Sequence, residues 1–262
     1  MKITLFTSNN NRHNYLINLL AKICDQLWVV QEYKNSLTQK NSDKFRDAKI
    51  MRNYFNFVDA AQEKIFKKNF IKYNSKKIKV LSIPYSELNN LSLSYLNDFL
   101  KSDIYIVFGS SYIKGNLINF LIANKAINIH AGVSPYYRGA DCNFWALYDD
   151  NPHLVGSTIH LLGKGLDSGP MLYHAMSNIK TTPFEYTMSS VKAAFHSISS
   201  KIKNKSIFDI VPTNQDINKE IRYSKKEHFN KEILNEYFKK KINLNSREFD
   251  ISLLKDPFFL EK

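Results

Sequence analysis

Asn128, His130 and Asp167 are the residues of this 262-residue chain whose types and spacing best suit chemistry. The apolar run Ala126 to Ile129 reads as a buried strand, and alternation puts Asn128 and His130 on one face at its end. A second strand, Val155 to Leu162, leads into the hairpin-like stretch Gly163 to Gly169 with Asp167 at its tip. Three polar groups can thus converge at two strand ends: a carboxamide, an imidazole whose unperturbed pKa is about 6.5, and a carboxylate. Such a set can donate to an oxygen that gains charge and can move a proton. Taken singly, each has a plainer reading. An Asn or His at a strand end is usually a satisfied polar group, and an Asp before Ser-Gly is usually a turn former.

The joint pattern is what reverses those odds. Asn128-Ile129-His130, Ser134-Pro135-Tyr136-Tyr137-Arg138-Gly139, Gly156-Ser157-Thr158-Ile159-His160 and Gly165-Leu166-Asp167-Ser168-Gly169 follow one another in that order. This ordered set resembles the folate-dependent formyltransferase family, tightly over the last third of residues 2–173 and loosely before it. The resemblance implies that Asn128, His130 and Asp167 are the catalytic trio and that 10-formyltetrahydrofolate is the formyl donor. Formyl transfer to an amine passes through a tetrahedral intermediate with a developing oxyanion. Asn128 can donate to it, His130 can donate or relay a proton, and Asp167 can hold the imidazole in one tautomer.

The same resemblance suggests a donor pocket. Phe108-Gly109-Ser110-Ser111-Tyr112-Ile113 is similar to the family segment whose main chain lines the pterin site, so Phe108, Gly109, Ser110 and Tyr112 are expected there. Ile83 is expected to add a wall and Ser168 to complete it. A flat heterocycle rimmed with donors and acceptors can pair with exposed backbone, and Gly109 allows close approach. Tyr136, Tyr137, Arg138, Trp145 and Asn11 are expected to meet the acceptor, the aromatics by stacking and Arg138 by forking onto phosphate. Packing accounts equally well for Trp145. His160 matches a family position that is often polar without being one of the three. The other histidines share no metal-ligand spacing and Cys24 and Cys142 stand alone, so no metal site is expected.

The elements that must position these groups alternate between strand and helix. Strands are expected at Lys2 to Thr7, Leu27 to Val30, Ile78 to Ile83 and Asp103 to Phe108. Helices are expected at Asn11 to Cys24, Asp43 to Tyr73, Ser92 to Lys101, Lys114 to Ala123, Phe184 to Ile202 and Glu227 to Lys241. The expectation is an α/β, Rossmann-like formyltransferase fold, a mostly parallel sheet with helices on both faces and the site at the strands' carboxyl ends. Residues 1–205 are expected to form the catalytic domain and 206–262 a short C-terminal extension that closes the acceptor site or makes a homodimer contact.

Composition narrows the classes. No apolar run approaches the ~20 residues of a membrane span, the N-terminus is too soon polar for a signal peptide, and two cysteines give no disulfide framework. A cytoplasmic protein without membrane insertion is expected. The net charge of +13 suits a tRNA, a nucleoside diphosphate or polyglutamylated folate alike, and its lysines are spread along the chain. Two features, with family analogy, rank a nucleotide-linked amino sugar first as acceptor, such as a dTDP-4-amino-4,6-dideoxyhexose for surface polysaccharide. The family's tRNA enzymes carry a larger C-terminal barrel than residues 206–262 can hold. The loop Thr7 to His13 lacks the glycine of the family's ribonucleotide enzymes. Transfer is expected over hydrolysis, because the family's hydrolytic relative begins with a regulatory domain whereas this chain starts with the core. A methionyl-tRNA formyltransferase-like enzyme is the first alternative, and a catalytically silent folate- or nucleotide-binding protein is the alternative of another class.

Overall fold

A computed structural model describes residues 1–33, 49–72, 76–247 and 249–260. The first strand, β1 (Lys2–Ser8), is buried at nearly every position, the pattern of a strand covered on both faces rather than one. β2 (Gln26–Tyr33), β3 (Ile78–Pro84), β4 (Ile104–Phe108) and β5 (Ile127–His130) join it, all parallel, in the order β5-β4-β1-β2-β3. Beyond β5 the direction changes. β7 (Ser157–Leu161) is antiparallel to β5 and to β8 (Met171–Ser177), and β10 (Phe258–Leu260) closes that edge parallel to β8. The sheet is therefore mixed and mostly parallel, with the site strand β5 at the change of direction.

Helices cover both faces, as a sheet buried on both sides requires. On one face α1 (Asn11–Leu20), α2 (Lys49–Phe66) and α5 (Pro183–Lys203) pack on Leu5, Ile106 and Ile129. On the other, α3 (Gly115–Ala123) and the turns around Leu96 pack on Phe6, Val30 and Val107. The start of α5 is written in the sequence: the Thr182 side chain accepts from the Glu185 N–H, and Pro183 occupies the first turn, where its missing N–H costs nothing.

Several expected elements differ. The helix expected from Asn11 to Cys24 stops at Leu20, and the long helix expected from Asp43 to Tyr73 runs over Lys49–Phe66 and ends there, with 67–72 non-helical and 43–48, including Phe45, and 73 outside the described residues. Ser92 to Lys101 is a run of turns, not a helix. The carbonyls at its end are taken by other elements: Asp98 O accepts from Lys2 Nζ (2.7 Å), Phe99 O from Thr4 Oγ1 (2.6 Å) and Leu100 O from Tyr105 OH (2.5 Å). Those bonds tie the end of the segment to β1 and β4, and within it the N–H groups of Tyr95, Asn97 and Phe99 close turns on the carbonyls of Ser92, Ser94 and Leu96.

The residues after Ser206 are bound into the core. β9 (Arg222–Ser224) pairs in parallel with β6 (Tyr137–Gly139) to form a small second sheet. Gly139, at φ +97°, is forced there: a Cβ would lie 2.0 Å from Ser224 O. α6 (Lys231–Lys239) and Phe229 pack with α4 (Cys142–Tyr148) and α2 in an aromatic cluster, with Phe229 4.8 Å from Phe144 and 5.1 Å from Tyr54 between ring centroids.

Candidate active site

The antiparallel pairing of β5 with β7 sets Asn128 directly opposite His160 and His130 opposite Thr158. Thr158 then fixes the chain after His130, donating from Oγ1 to Gly132 O (2.7 Å) and accepting from Ser134 N (2.8 Å). Asp167 reaches the same place from the 163–169 loop, in a left-handed conformation at φ +48°. The three sequence-predicted residues are thus brought together: Asp167 Oδ2 lies 3.3 Å from His130 Nδ1, and Asp167 Oδ1 accepts from Asn128 Nδ2 (3.2 Å). The Gly139 N–H adds a contact to Oδ2 at 3.3 Å.

His160 is a fourth member. Its Nδ1 faces Leu161 O at 2.7 Å, and Nε2 stands 2.9 Å from Asn128 Nδ2. Donation from Nδ1–H to the carbonyl leaves Nε2 as the acceptor, which orients the Asn128 amide. Both Asn128 amide hydrogens are then engaged, so donating to a third oxygen means releasing the longer contact, the one to Asp167. The sequence signal for His160 was the family position it matches; its place opposite Asn128 comes from the pairing of β5 with β7.

His130 is buried, and both its ring nitrogens face acceptors, Asp167 at Nδ1 and Tyr137 O at Nε2 (3.1 Å). Burial lowers its pKa, and the nearby Asp167 offsets part of that. A neutral ring has one N–H to share between the two oxygens, so a second proton enters a position already lined by an acceptor. Burial alone would raise the Asp167 carboxyl; His130, His160 and the Gly139 amide outweigh it and bring it down to about 2. Asp167 is therefore ionised throughout the range in which an imidazole titrates.

The expected donor wall lies beside this group. Gly109 has φ +63° and is exposed, and a Cβ there would lie 2.6 Å from His13 Cε1. Phe108 is buried against the His13 ring (4.7 Å), Ile83 is buried, and Ser110 donates to Ser111 O (3.0 Å). Tyr112 is exposed along its ring while its OH donates to Lys164 O (2.7 Å), linking this wall to the loop that carries Asp167 and the half-buried Ser168. Bare backbone at Gly109 beside an exposed ring fits a flat heterocycle. Behind it, the fully buried Glu32 accepts from Ser111 N, Ser111 Oγ (2.6 Å) and Ser86 N (2.9 Å), joining the strand ends of β2, β3 and β4.

The expected acceptor contacts are placed differently from one another. Tyr137 and Trp145 are each 1 % exposed and offer no open face for stacking. Tyr137 OH accepts from Asn151 (2.7 Å), and Trp145 lies beneath Arg222 at 4.4 Å. Tyr136 is buried with its OH on Leu253 O (3.1 Å). These rings were bulky and came between turn residues, so sequence alone could not separate packing from binding. Arg138 donates to Glu220 (3.0 Å) and to Leu166 O (3.1 Å), while its Nε lacks a hydrogen-bond partner. Both ends of the Asn11 amide are engaged by the 67–69 loop. Among the described residues no group of three or more His, Cys, Asp or Glu is set to hold a metal ion, and no helix is long and apolar enough to cross a membrane.

A doubly wound, mostly parallel α/β sheet thus gathers Asn128, His130 and the loop residue Asp167 at the carboxyl end of β5, where sheets of this kind bind their ligands. Residues 60–207, more than half the chain, match the formyl transferase family, and the chain belongs to it. Methionyl-tRNA formyltransferase of Thermosynechococcus vestitus is 38% identical over 73 residues, 28% of this chain and 22% of that protein, so the match spans about a fifth of that relative. Two solved structures share the fold. An N-formyltransferase from Helicobacter canadensis in complex with folinic acid and dTDP-3-aminofucose has a TM-score of 0.52, 15% identity, and coverage of 88% of this chain and 73% of that one. Glycinamide ribonucleotide transformylase 1 from Symbiobacterium toebii has a TM-score of 0.54, 13% identity, and coverage of 82% and 94%.

Proposed function

We propose that the chain transfers the formyl group of 10-formyltetrahydrofolate to the amine of a nucleotide-linked amino sugar. The observation that carries the transfer chemistry is the contact of His130 Nδ1 with Asp167 Oδ2 beside the Asn128 amide. When bound, the donor supplies a formyl carbon on nitrogen. The acceptor nitrogen attacks that carbon, the bond from the carbon to the donor nitrogen breaks, and the proton lost by the amine ends on the donor nitrogen. Asn128 donates to the formyl oxygen as it gains charge, in place of its contact to Asp167. His130 takes the amine's proton and passes it on, with Asp167 stabilising the charged ring. Gly109, Ser110 and Tyr112 hold the donor's heterocycle, with Phe108 and Ile83 behind them and Ser168 at the far side.

The acceptor class rests on the glycine-free first loop, supported by the sugar ligand named for the Helicobacter canadensis relative. The identity with methionyl-tRNA formyltransferase supports formylated methionyl-tRNA as a second reading. Purified protein with 10-formyltetrahydrofolate is tested against nucleotide-linked amino sugars, methionyl-tRNA, glycinamide ribonucleotide and water alone, following tetrahydrofolate release. Release dependent on one amino sugar is expected. Release only with charged tRNA replaces the sugar reading, and folate binding without release under any condition replaces it with a silent binding protein.

A further inference from the structure

We propose that Gln215, from the segment beyond the core, is a positioning residue that holds Asp167 in place for His130. This rests on reading Asp167 as part of the working trio. The Gln215 side chain donates from Nε2 to two carbonyls at once, Asp167 O and Gly169 O, both at 2.8 Å. Its Oε1 is buried without a hydrogen-bond partner, so packing and these two donations are what fix the amide. Glu220, five residues on, holds Arg138, whose Nη2 donates to Leu166 O. The loop carbonyls at 166, 167 and 169 are thus all gripped from outside the loop.

The carboxylate of Asp167 points the other way, toward His130, Asn128 and the Gly139 N–H. Main chain and side chain of one residue are therefore fixed from opposite sides, at a left-handed φ of +48° that Asp adopts more readily than most residues. β9 works in the same direction. Its pairing with β6 sets Gly139, whose N–H reaches Asp167 Oδ2. Gln215 touches no reacting atom and acts only through Asp167.

The charged and titratable groups facing His130 are Asp167 on its loop, His160 on β7, Arg138 on β6 and His174 on β8. Asp167 favours the protonated ring, so loosening Asp167 lowers the His130 titration midpoint. The variant is Gln215→Met in the full chain, which keeps the side-chain length and removes both donations. Ring-labelled histidine is followed by NMR against pH in the unliganded protein, with the His130 signal assigned through His130→Gln. The expected result is a fall in the midpoint of about half a pH unit or more. With donor and acceptor saturating, kcat is expected to fall about tenfold to a hundredfold while both KM values hold, as for a small misplacement of a catalytic group.

Tyr148→Phe, which alters another extension contact away from the loop, is the control and should leave both readouts unchanged. Should Gln215→Met not fold, Gln215→Asn, one methylene shorter and unable to span both carbonyls, is read the same way. An unchanged His130 midpoint in a folded variant overturns the proposal, as does a drop in melting temperature with kcat unchanged. If no acceptor accepts a formyl group, the functional reading fails while the His130 titration still decides the role of Gln215.

Discussion

Two carboxylates are buried at the carboxyl edge of this sheet, Glu32 at the end of β2 and Asp167 beside β5, and they are kept in opposite ways. Glu32 is surrounded by donors that cannot change charge, two backbone N–H groups and a serine hydroxyl. Asp167 faces His130 and His160, which can. Burial is thus a poor guide to chemistry by itself. The nature of the partners separates a joint that ties three strand ends from a carboxylate held ionised against imidazoles.

The sharpest way to break the contrast is at Asp167. Asp167→Asn keeps the shape and tolerates the left-handed backbone; turnover should fall by about 10²- to 10⁴-fold, alongside a loss of about 1–3 kcal/mol in stability from the acceptor turned toward its donors. Asn128→Ala and His130→Ala should each lower turnover about a hundredfold or more while donor binding persists. Near wild-type rates in all three would place the chemistry elsewhere.

Acid unfolding gives a second, smaller effect. His174 is buried, accepts at Nδ1 from Lys255 N and faces Ser134 O with Nε2, both at 2.8 Å. Burial lowers it to about 4. Its folded pKa lies below its unfolded value, so its contribution is complete above about 6.5 and is lost as pH falls toward 4, amounting to about 3 kcal/mol. Asp167 adds a lower window, lost as pH falls below its ordinary carboxyl range toward about 2. Urea titrations of the wild type and His174→Gln should differ in slope against pH between 6.5 and 4, and identical slopes would remove His174 from that window.

Glu32→Gln should cost about 1–3 kcal/mol by turning one acceptor toward its donors, with kcat at saturating donor retained. A hundredfold loss of kcat would erase the contrast with Asp167. The smallest effect is expected at Arg222, which is partly exposed, forks onto Asp149 at 2.8 and 2.7 Å and covers Trp145. Arg222→Lys should cost about 1 kcal/mol or less, read from thermal unfolding.

The sequence disclosed the parallel half of the sheet because its strands are apolar runs separated by helical periods. It disclosed the trio because four short blocks keep their order. β8 stayed hidden: Met171–Ser177 is buried at every position, so it shows no alternation and carries a histidine midway. β6, β9 and β10 have three residues each, too few for any period to register. Gln215 lies 48 residues from Asp167 in a polar stretch that reads as loop, and nothing local announces where its amide goes. The Ser92 to Lys101 segment carried a helical pattern, but its N–H groups close separate turns rather than one helical ladder.

β10 has a further consequence. It pairs with β8 through Phe258 opposite Ala175 and so covers backbone groups along a strand that is buried at every position. An apolar strand left bare at a sheet edge is a surface to which a second chain can add. A chain shortened before Phe258 is therefore expected to aggregate more readily than the full chain at the same temperature, followed by light scattering.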